Sequence, residues 1–266
     1  MRGVETRIQG IRHSIFTEIA RMAYETDGYV GKRIEELPYE IIPGEIGKFR
    51  NDVFLERAIV GERLRLAMGL PCRGAGEHAP LSDNIELADQ TETYYTPPLI
   101  NVIKFACNAC AEKRVFVTDG CQGCLAHPCV EVCPKNAVTL DRTNGRSYID
   151  PEKCIKCGKC AEVCGYNAII VQERPCAAAC GMDAIHSDEN GKADIDYDRC
   201  VSCGQCLVNC PFGAISDKSQ IFQVIRAIRS GERVYAALAP AFVGQFGPKV
   251  TPGKLRAAMR ELGFAD

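Results

Sequence analysis

The sequence predicts an α+β fold in three parts: a helical N-terminal region with a linker (1–100), a cysteine-rich middle (101–218) and a short segment of α/β character (219–266). Three observations predict it. Apolar residues recur at helical spacing before position 70. Sixteen of the seventeen cysteines lie between Cys107 and Cys210, with only short apolar runs between them. After Asp217 helix and strand patterning resumes.

In the first part, Ile8, Ile11, Ile15, Ile19 and Met22 recur every three or four residues and share one helix face. Pro38, Pro43 and Gly44 then break the pattern. A second helix is expected after the capping candidates Asn51 and Asp52, running to about Gly69 with Leu55, Ile59, Leu66 and Leu70 on its apolar face. Residues 71–100 hold Pro71, Gly74, Gly76, Pro80, Pro97 and Pro98, the composition of a linker or wrapped loop. A short strand, Val102 to Phe105, leads into the first cysteine pair. Beyond Asp217, Ile221, Val224, Ile225 and Ile228 form a helical stripe ending before Gly231. Val234 to Ala239 reads as a strand stopped by Pro240. Thr251, Pro252 and Gly263 mark the cap, first position and stop of a last helix. A lone strand and helix cannot bury a sheet, so this part reads as the opening of an incomplete α/β domain.

The 32 basic and 34 acidic residues nearly cancel, leaving a formal −2 and no nucleic-acid or membrane footprint. No apolar run approaches the ~20 residues of a spanning helix. The start, with Met1, Arg2, Glu5 and Arg7, lacks the apolar core of a signal peptide. The expected location is cytoplasmic, where thiols stay reduced, so the cysteines read as metal ligands rather than disulfides. Their odd number would also leave one unpaired.

An internal repeat organises them. Cys154, Cys157, Cys160 and Cys164 are spaced C-x2-C-x2-C-x3-C, as are Cys200, Cys203, Cys206 and Cys210, offset by 46 residues. The approaches repeat as well: Gly145-Arg-x-x-Ile-Asp before one run and Gly191-Lys-x-x-Ile-Asp before the other. This is the bacterial ferredoxin run, in which three close cysteines hold one [4Fe-4S] cubane and the fourth ligates the other cluster of a pair. Pro134 and Pro211 follow such fourth cysteines, whereas Gly165 and Gly181 fill that place elsewhere.

The partner of Cys154–Cys164 lies upstream in Cys121, Cys124, Cys129 and Cys133, with Leu125 to Pro128 as a loop insertion. Exchanging the fourth ligands assigns Cys121, Cys124, Cys129 and Cys164 to one cluster, and Cys133, Cys154, Cys157 and Cys160 to a second. Cys176-x3-Cys180 aligns with Cys129-x3-Cys133, but Ala168 and Val171 stand where a C-x2-C pair is expected. The unassigned pair Cys107-x2-Cys110 completes the scheme if one two-cluster unit is inserted within another. A third cluster then takes Cys107, Cys110, Cys176 and Cys210, and a fourth takes Cys180, Cys200, Cys203 and Cys206. The expected fold is therefore a ferredoxin-like multi-[4Fe-4S] module behind a helical N-terminal region.

Zinc is the competing reading. It usually takes separated C-x2-C pairs, so it fits the compact runs poorly, although Cys107-x2-Cys110 alone also suits half a zinc site. Cys72 reads as a plain thiol. His127 sits in a cluster loop, either tuning a cluster or as an ordinary solvated residue. Lys153, Lys156 and Lys159 read as a solvated face or as a dock for an acidic ferredoxin. An oxidised cubane with four thiolates carries about −2, so a chain with four clusters stands near roughly −10. No phosphate-binding glycine loop, dinucleotide fingerprint or nucleophile–base constellation is present, and no catalytic residue is assigned.

Four segments carry a family resemblance: Glu36-Leu-Pro-Tyr-Glu-Ile-Ile-Pro-Gly-Glu45, Cys121-Gln-Gly-Cys-Leu-Ala-His-Pro-Cys129, Arg174-Pro-Cys-Ala-Ala-Ala-Cys-Gly181 and Leu238-Ala-Pro-Ala-Phe-Val-Gly-Gln-Phe-Gly247. Through them the chain resembles the group B [FeFe] hydrogenases, essentially end to end. The resemblance implies a ferredoxin-like module feeding a catalytic domain whose cluster is bridged to a diiron centre, with Val234 to Gly263 as that domain's first unit. The family's catalytic cysteines begin with a Cys-Cys-Pro segment, and no cysteine follows Cys210 here. The leading expectation is an electron carrier, not catalytic alone, that exchanges electrons with a ferredoxin-like redox partner and resembles the wire of such a hydrogenase. Two alternatives stand beside it: a hydrogenase completed by a separate catalytic subunit, and an electron-transfer subunit of another multi-subunit oxidoreductase.

Overall fold

The computed structural model describes residues 5–25, 30–74, 76–89 and 97–266. The reading of Met1 and Arg2, and part of the linker (75 and 90–96), lie outside them. In chain order the helices are α1 (Arg7–Glu25), α2 (Val30–Ile41), α3 (Val53–Ala67), α4 (Pro128–Glu131), α5 (Lys159–Glu162), α6 (Pro175–Ala178), α7 (Gln205–Asn209), α8 (Ile221–Arg229) and α9 (Pro252–Glu261). The strands are β1 (Ile100–Val102), β2 (Arg114–Val117), β3 (Val138–Leu140), β4 (Ser147–Ile149), β5 (Ile169–Gln172), β6 (Ile185–Ser187), β7 (Ala193–Ile195) and β8 (Ile215–Asp217). Among the described residues no helix is long and apolar enough to cross a membrane.

The chain divides into two compact units, Met1–Ala106 with Gly213–Asp266, and Cys107–Phe212. The first has a conventional apolar core. Ile15, Ile19 and Met22 of α1 pack there with Ile34 and Leu37 of α2, Val60 and Leu64 of α3, and Phe222 and Ile225 of α8. Ile11 is partly buried against this cluster, as the helical stripe requires.

Several elements depart from the sequence reading. Pro38 does not end a helix but lies inside α2, buried. The missing N–H leaves one turn without its bond, while burial of Ile34 and Leu37 beside it holds the segment helical. In α3, Asp52 caps as expected, accepting from the N–H groups of Phe54 and Leu55. Its apolar face is different: Leu55 and Ile59 are only half-buried, and residues 60–68 are buried all round. The charges on those turns are all engaged. Glu62 pairs with Arg73 at 2.7 Å, Arg65 donates to the carbonyls of Leu81 and Asp83 at 2.7 Å each, and Arg63 donates to those of Gly213 and Ile215. The proline-rich stretch is thus strapped down by buried arginines.

The strand expected at Val102–Phe105 is shifted: β1 ends at Val102, and Lys104–Ala106 forms a 3₁₀ turn. Its partner sets the limit, because β1 pairs antiparallel with β8 from Ile100↔Asp217 to Val102↔Ile215. The strand expected at Val234–Ala239 does not form. Ala265 donates to Val234 and Ala236 donates to Asp266, and two bonds to a chain terminus do not make a ladder. Thr251 caps α9 through a bond from the Lys254 N–H, and Gly263 follows its end at φ +101°.

The second unit is built from short strand pairs and four-to-five-residue helices. β2 pairs antiparallel with β5, β3 with β4, and β6 with β7. Its buried side chains are mostly small or aliphatic (Val115, Ala137, Val138, Ile149, Ala168, Ile185) alongside cysteines.

Candidate metal centres

The repeat is matched at the turn that precedes each run. Asp150 accepts from the N–H of Cys154 through its carbonyl and from Glu152 through its carboxylate, and Asp196 does the same with Cys200 and Asp198. The Asp150 N–H donates to Ala137 and the Asp196 N–H to Ala184, both at 2.8 Å. These turns fix where each cysteine run begins.

Left-handed residues then bend the runs around their sulfurs. The residue two after the first cysteine has positive φ in all four cases: Ala109 (47°), Gly123 (59°), Lys156 (59°) and Ser202 (55°). So has the residue three after each fourth cysteine: Asn136, Asn167, Asp183 and Gly213. Such conformations turn successive N–H groups inward and create an anion-binding concavity. At Gly123 a side chain is also excluded, since a Cβ would stand 2.6 Å from the Gly145 carbonyl.

The inward N–H groups find sulfur. Ala137 donates to Cys133 at 3.2 Å, Ala168 to Cys164 and Ala184 to Cys180 at 3.4 Å each. Lys156 donates to Cys154 at 3.4 Å and Ala193 to Cys107 at 3.3 Å. Ser147, the repeat counterpart of Ala193, bonds Cys121 through its backbone and approaches Cys129 with its hydroxyl at 3.3 Å. Cys107 therefore stands to β7 as Cys121 stands to β4.

One cavity is lined by Cys121, Cys124, Cys129 and Cys164, with Ser147 and Ile169. Another is lined by Cys133, Cys154, Cys157 and Cys160, with Val115 and Lys135. Cys107 and Cys210 are each electrostatic neighbours of both Cys110 and Cys176. Cys200 neighbours Cys206, while Cys180 and Cys203 join that group by the repeat alone. None of the seventeen cysteines is in a disulfide. Among the described residues no three metal-binding side chains converge on a single ion's position; the sulfurs instead surround cavities. A donor set of thiolates ringed by N–H groups fits an iron–sulfur cluster.

Electrostatics follow burial. Burial, and then the neighbouring Cys210, push the Cys176 thiol up to about 11, and burial likewise lifts Cys206 to about 11. Cys133 is partly desolvated, yet the N–H groups of Lys135, Ala137, Val138 and Asn136 hold it below the ordinary thiol value.

Arg174 is the residue that sequence reasoning missed. It is only 4% exposed. Its Nε and Nη2 both donate to the Cys110 carbonyl, at 3.0 and 2.7 Å. It also reaches the His186 carbonyl at 3.2 Å, Ser187 Oγ at 2.9 Å and the Gly191 carbonyl at 2.7 Å. The guanidinium thereby ties the detached Cys107–Cys110 loop to the β6–β7 hairpin. The signal was present: the other third-cysteine helices start from the left-handed residues His127, Gly158 and Gly204, whereas α6 starts from an extended arginine.

His127 hydrogen-bonds the Leu125 carbonyl through Nδ1 at 3.2 Å and fills the left-handed position before α4, so its role here is to shape a loop. Cys72 lies apart from the other cysteines in the first unit, where burial, then Glu62, push its thiol up to about 12.

Comparison with known proteins agrees with this chemistry. Residues 147–170 match the 4Fe-4S binding domain, and residues 171–221 match the LdpA Fe-S cluster-binding domain. An uncharacterised ferredoxin of Methanocaldococcus jannaschii is 40% identical over 67 residues, covering 24% of this chain and 43% of that protein. The polyferredoxin-like subunit of an aliphatic sulfonate oxidoreductase of Pyrococcus furiosus is 43% identical over 50 residues, 19% of this chain and 29% of the subunit. The chain thus spans less than half the length of these relatives. A ferredoxin of Alicyclobacillus acidocaldarius is 42% identical over 57 residues, 21% of this chain and 70% of the ferredoxin. The protein carries [4Fe-4S] clusters and transfers electrons. Through its cysteine-rich unit, the chain belongs to the ferredoxin family.

Proposed function

We propose that the chain is a four-cluster electron wire, with the ligand sets Cys121/Cys124/Cys129/Cys164, Cys133/Cys154/Cys157/Cys160, Cys107/Cys110/Cys176/Cys210 and Cys180/Cys200/Cys203/Cys206. The observation that carries this reading is the lining of two separate cavities by the first two sets. The strand pairing within the cysteine-rich unit supports its nested form: β2 pairs with β5 across the segment that holds Cys121 to Cys164. The clusters supply one-electron chemistry, and the chain's part is to fix their spacing, donate N–H groups to their sulfurs and limit water around them. Within this reading the chain is not catalytic alone, and it feeds or drains a catalytic partner of the [FeFe] hydrogenase kind that its four quoted segments resemble.

Iron and acid-labile sulfide of about sixteen each per chain are expected. The double variant C200S/C203S should lose about a quarter of both, and complete loss, or none, would contradict the ligand sets. A second reading is favoured by the Pyrococcus relative: service as a polyferredoxin-like subunit of a different multi-subunit oxidoreductase. Purification of the native complex separates the two, since a partner with a Cys-Cys-Pro segment supports the first and a molybdopterin enzyme the second.

A further inference from the structure

The two compact cysteine runs are alike in backbone and unlike in charge. Cys157 and Cys203 are the two exposed cysteines, and they occupy the same place in the repeat. Around Cys157 the exposed residues are Lys153, Lys156 and Lys159, with Lys135 alongside in the cavity lining and Ile155, 56% exposed, between them. The counterparts in the second run are Arg199, Ser202, Gln205, Met182 and Val201. Four lysines thus accompany one exposed cysteine, Lys135 and Lys159 in its cavity lining and Lys153 and Lys156 beside it in sequence, where the other has one arginine. Lys153 is partly occupied by Asp150 at 3.3 Å, and two exposed glutamates lie close in sequence, Glu152 before Cys154 and Glu162 between Cys160 and Cys164. Between Cys154 and Cys160 there is no acidic residue.

We infer that the lysine rim around Cys157 is the docking surface for an acidic redox protein of the small ferredoxin kind. The inference rests on the assignment of Cys133, Cys154, Cys157 and Cys160 to one cluster. A thiolate at the surface brings its cluster within reach of a donor without rearrangement. Fixed positive charge around an apolar centre steers a negatively charged protein to that spot and accelerates encounter by about 10–10³-fold at low salt. In the step itself one electron leaves the reduced donor cluster and one is gained by this chain, with no bond made or broken.

The test uses the loaded, full-length chain and a purified acidic two-[4Fe-4S] ferredoxin as probe. The triple variant K153Q/K156Q/K159Q is compared with R199Q, the counterpart control, and iron and sulfide are counted first. In the loaded triple variant, the second-order rate of reduction by the reduced probe should fall at least about tenfold at low ionic strength and lose most of its salt dependence. Binding of the oxidised probe, followed by calorimetry, should weaken in parallel. R199Q should behave as the unmodified chain, and reduction by a small uncharged donor should be unchanged in both. Equal rates and affinities for the fully loaded triple variant would overturn the docking surface and leave the ligand sets intact. Loss of an entire cluster's iron from C157S together with C203S, rather than from separate clusters, would instead overturn the assignment beneath it.

Discussion

Replacing Arg174 by methionine removes a buried guanidinium while keeping most of its volume. Five donor contacts to four acceptors are lost: the carbonyls of Cys110, His186 and Gly191, and the hydroxyl of Ser187. Only the Cys110 carbonyl belongs to the Cys107–Cys110 loop, so at about 2 kcal/mol for a buried carbonyl that loses its charged donor, the loop loses roughly 2 kcal/mol of its hold on the β6–β7 hairpin. Since about 1.4 kcal/mol is a factor of ten, the loop should open roughly 30-fold more often. Only the cluster assigned to Cys107, Cys110, Cys176 and Cys210 depends on that loop. Iron release to a chelator, followed by the loss of visible absorbance, should therefore acquire a fast phase of about a quarter of the amplitude, the rest staying slow. R174K should fall between the two, because one ammonium keeps the charge but cannot fork across these acceptors. A single slow phase in R174M, with iron content unchanged, would refute the reasoning.

Three further outcomes are expected. Ser147→Ala removes one hydroxyl bond to Cys129; at about 1 kcal/mol and 59 mV per 1.4 kcal/mol, the potential of that cluster should drop by roughly 40 mV in an EPR-monitored titration. Glu56 is buried, which alone would raise its carboxyl, but the N–H groups of Lys48, Arg50 and Phe49 hold it below the ordinary 4.5. Its folded value is depressed, so its stabilisation is present above that pH and is lost as pH falls through the folded value. Circular-dichroism melts should show the drop below pH 4.5, and Glu56→Gln should flatten it. Cys72, with its thiol lifted to about 12, should stay unlabelled by iodoacetamide at pH 8 in the native protein and react only after denaturation, as read by mass spectrometry.

The helices bearing an apolar stripe were legible because period and burial coincide: Ile15, Ile19 and Met22 bury where the spacing puts them. So were the caps Asp52 and Thr251, whose side chains act on their own next turn. Pro38 misled because local propensity was outweighed by its neighbours' burial. The charges of α3 misled for the opposite reason, since Glu62, Arg63 and Arg65 look solvent-facing until loops distant in sequence supply their partners. The strand expected from Val234 to Ala239 had the right composition, but a strand is a property of a pair, and composition names no partner. In the cysteine unit, ligand spacing was readable; Arg174 could be marked as the odd residue among His127, Gly158 and Gly204, but not its contacts, because its acceptors are mostly backbone carbonyls that no side-chain pattern records.

The repeat makes those unread residues interpretable. Where two copies of a loop share the turn before each run and the left-handed positions within it, the backbone needed to wrap sulfur is already accounted for, so the positions that differ have to answer to something else. Three such differences stand out: Arg174 against Gly158 and Gly204, Ser147 against Ala193, and the lysines near Cys157 against Ser202 and Gln205. The first compensates for a C-x2-C pair that arrives from sixty-odd residues upstream and needs a fastening the continuous runs do not. The second places a hydroxyl beside Cys129 that the other copy lacks, and the Ser147→Ala titration tests whether it separates the potentials of the two sites. The third distinguishes the two exposed ligands from outside. Geometry is thus duplicated while fastening, the hydroxyl beside sulfur and surface charge are not, and a wire made of equivalent sites acquires direction only through differences of that kind.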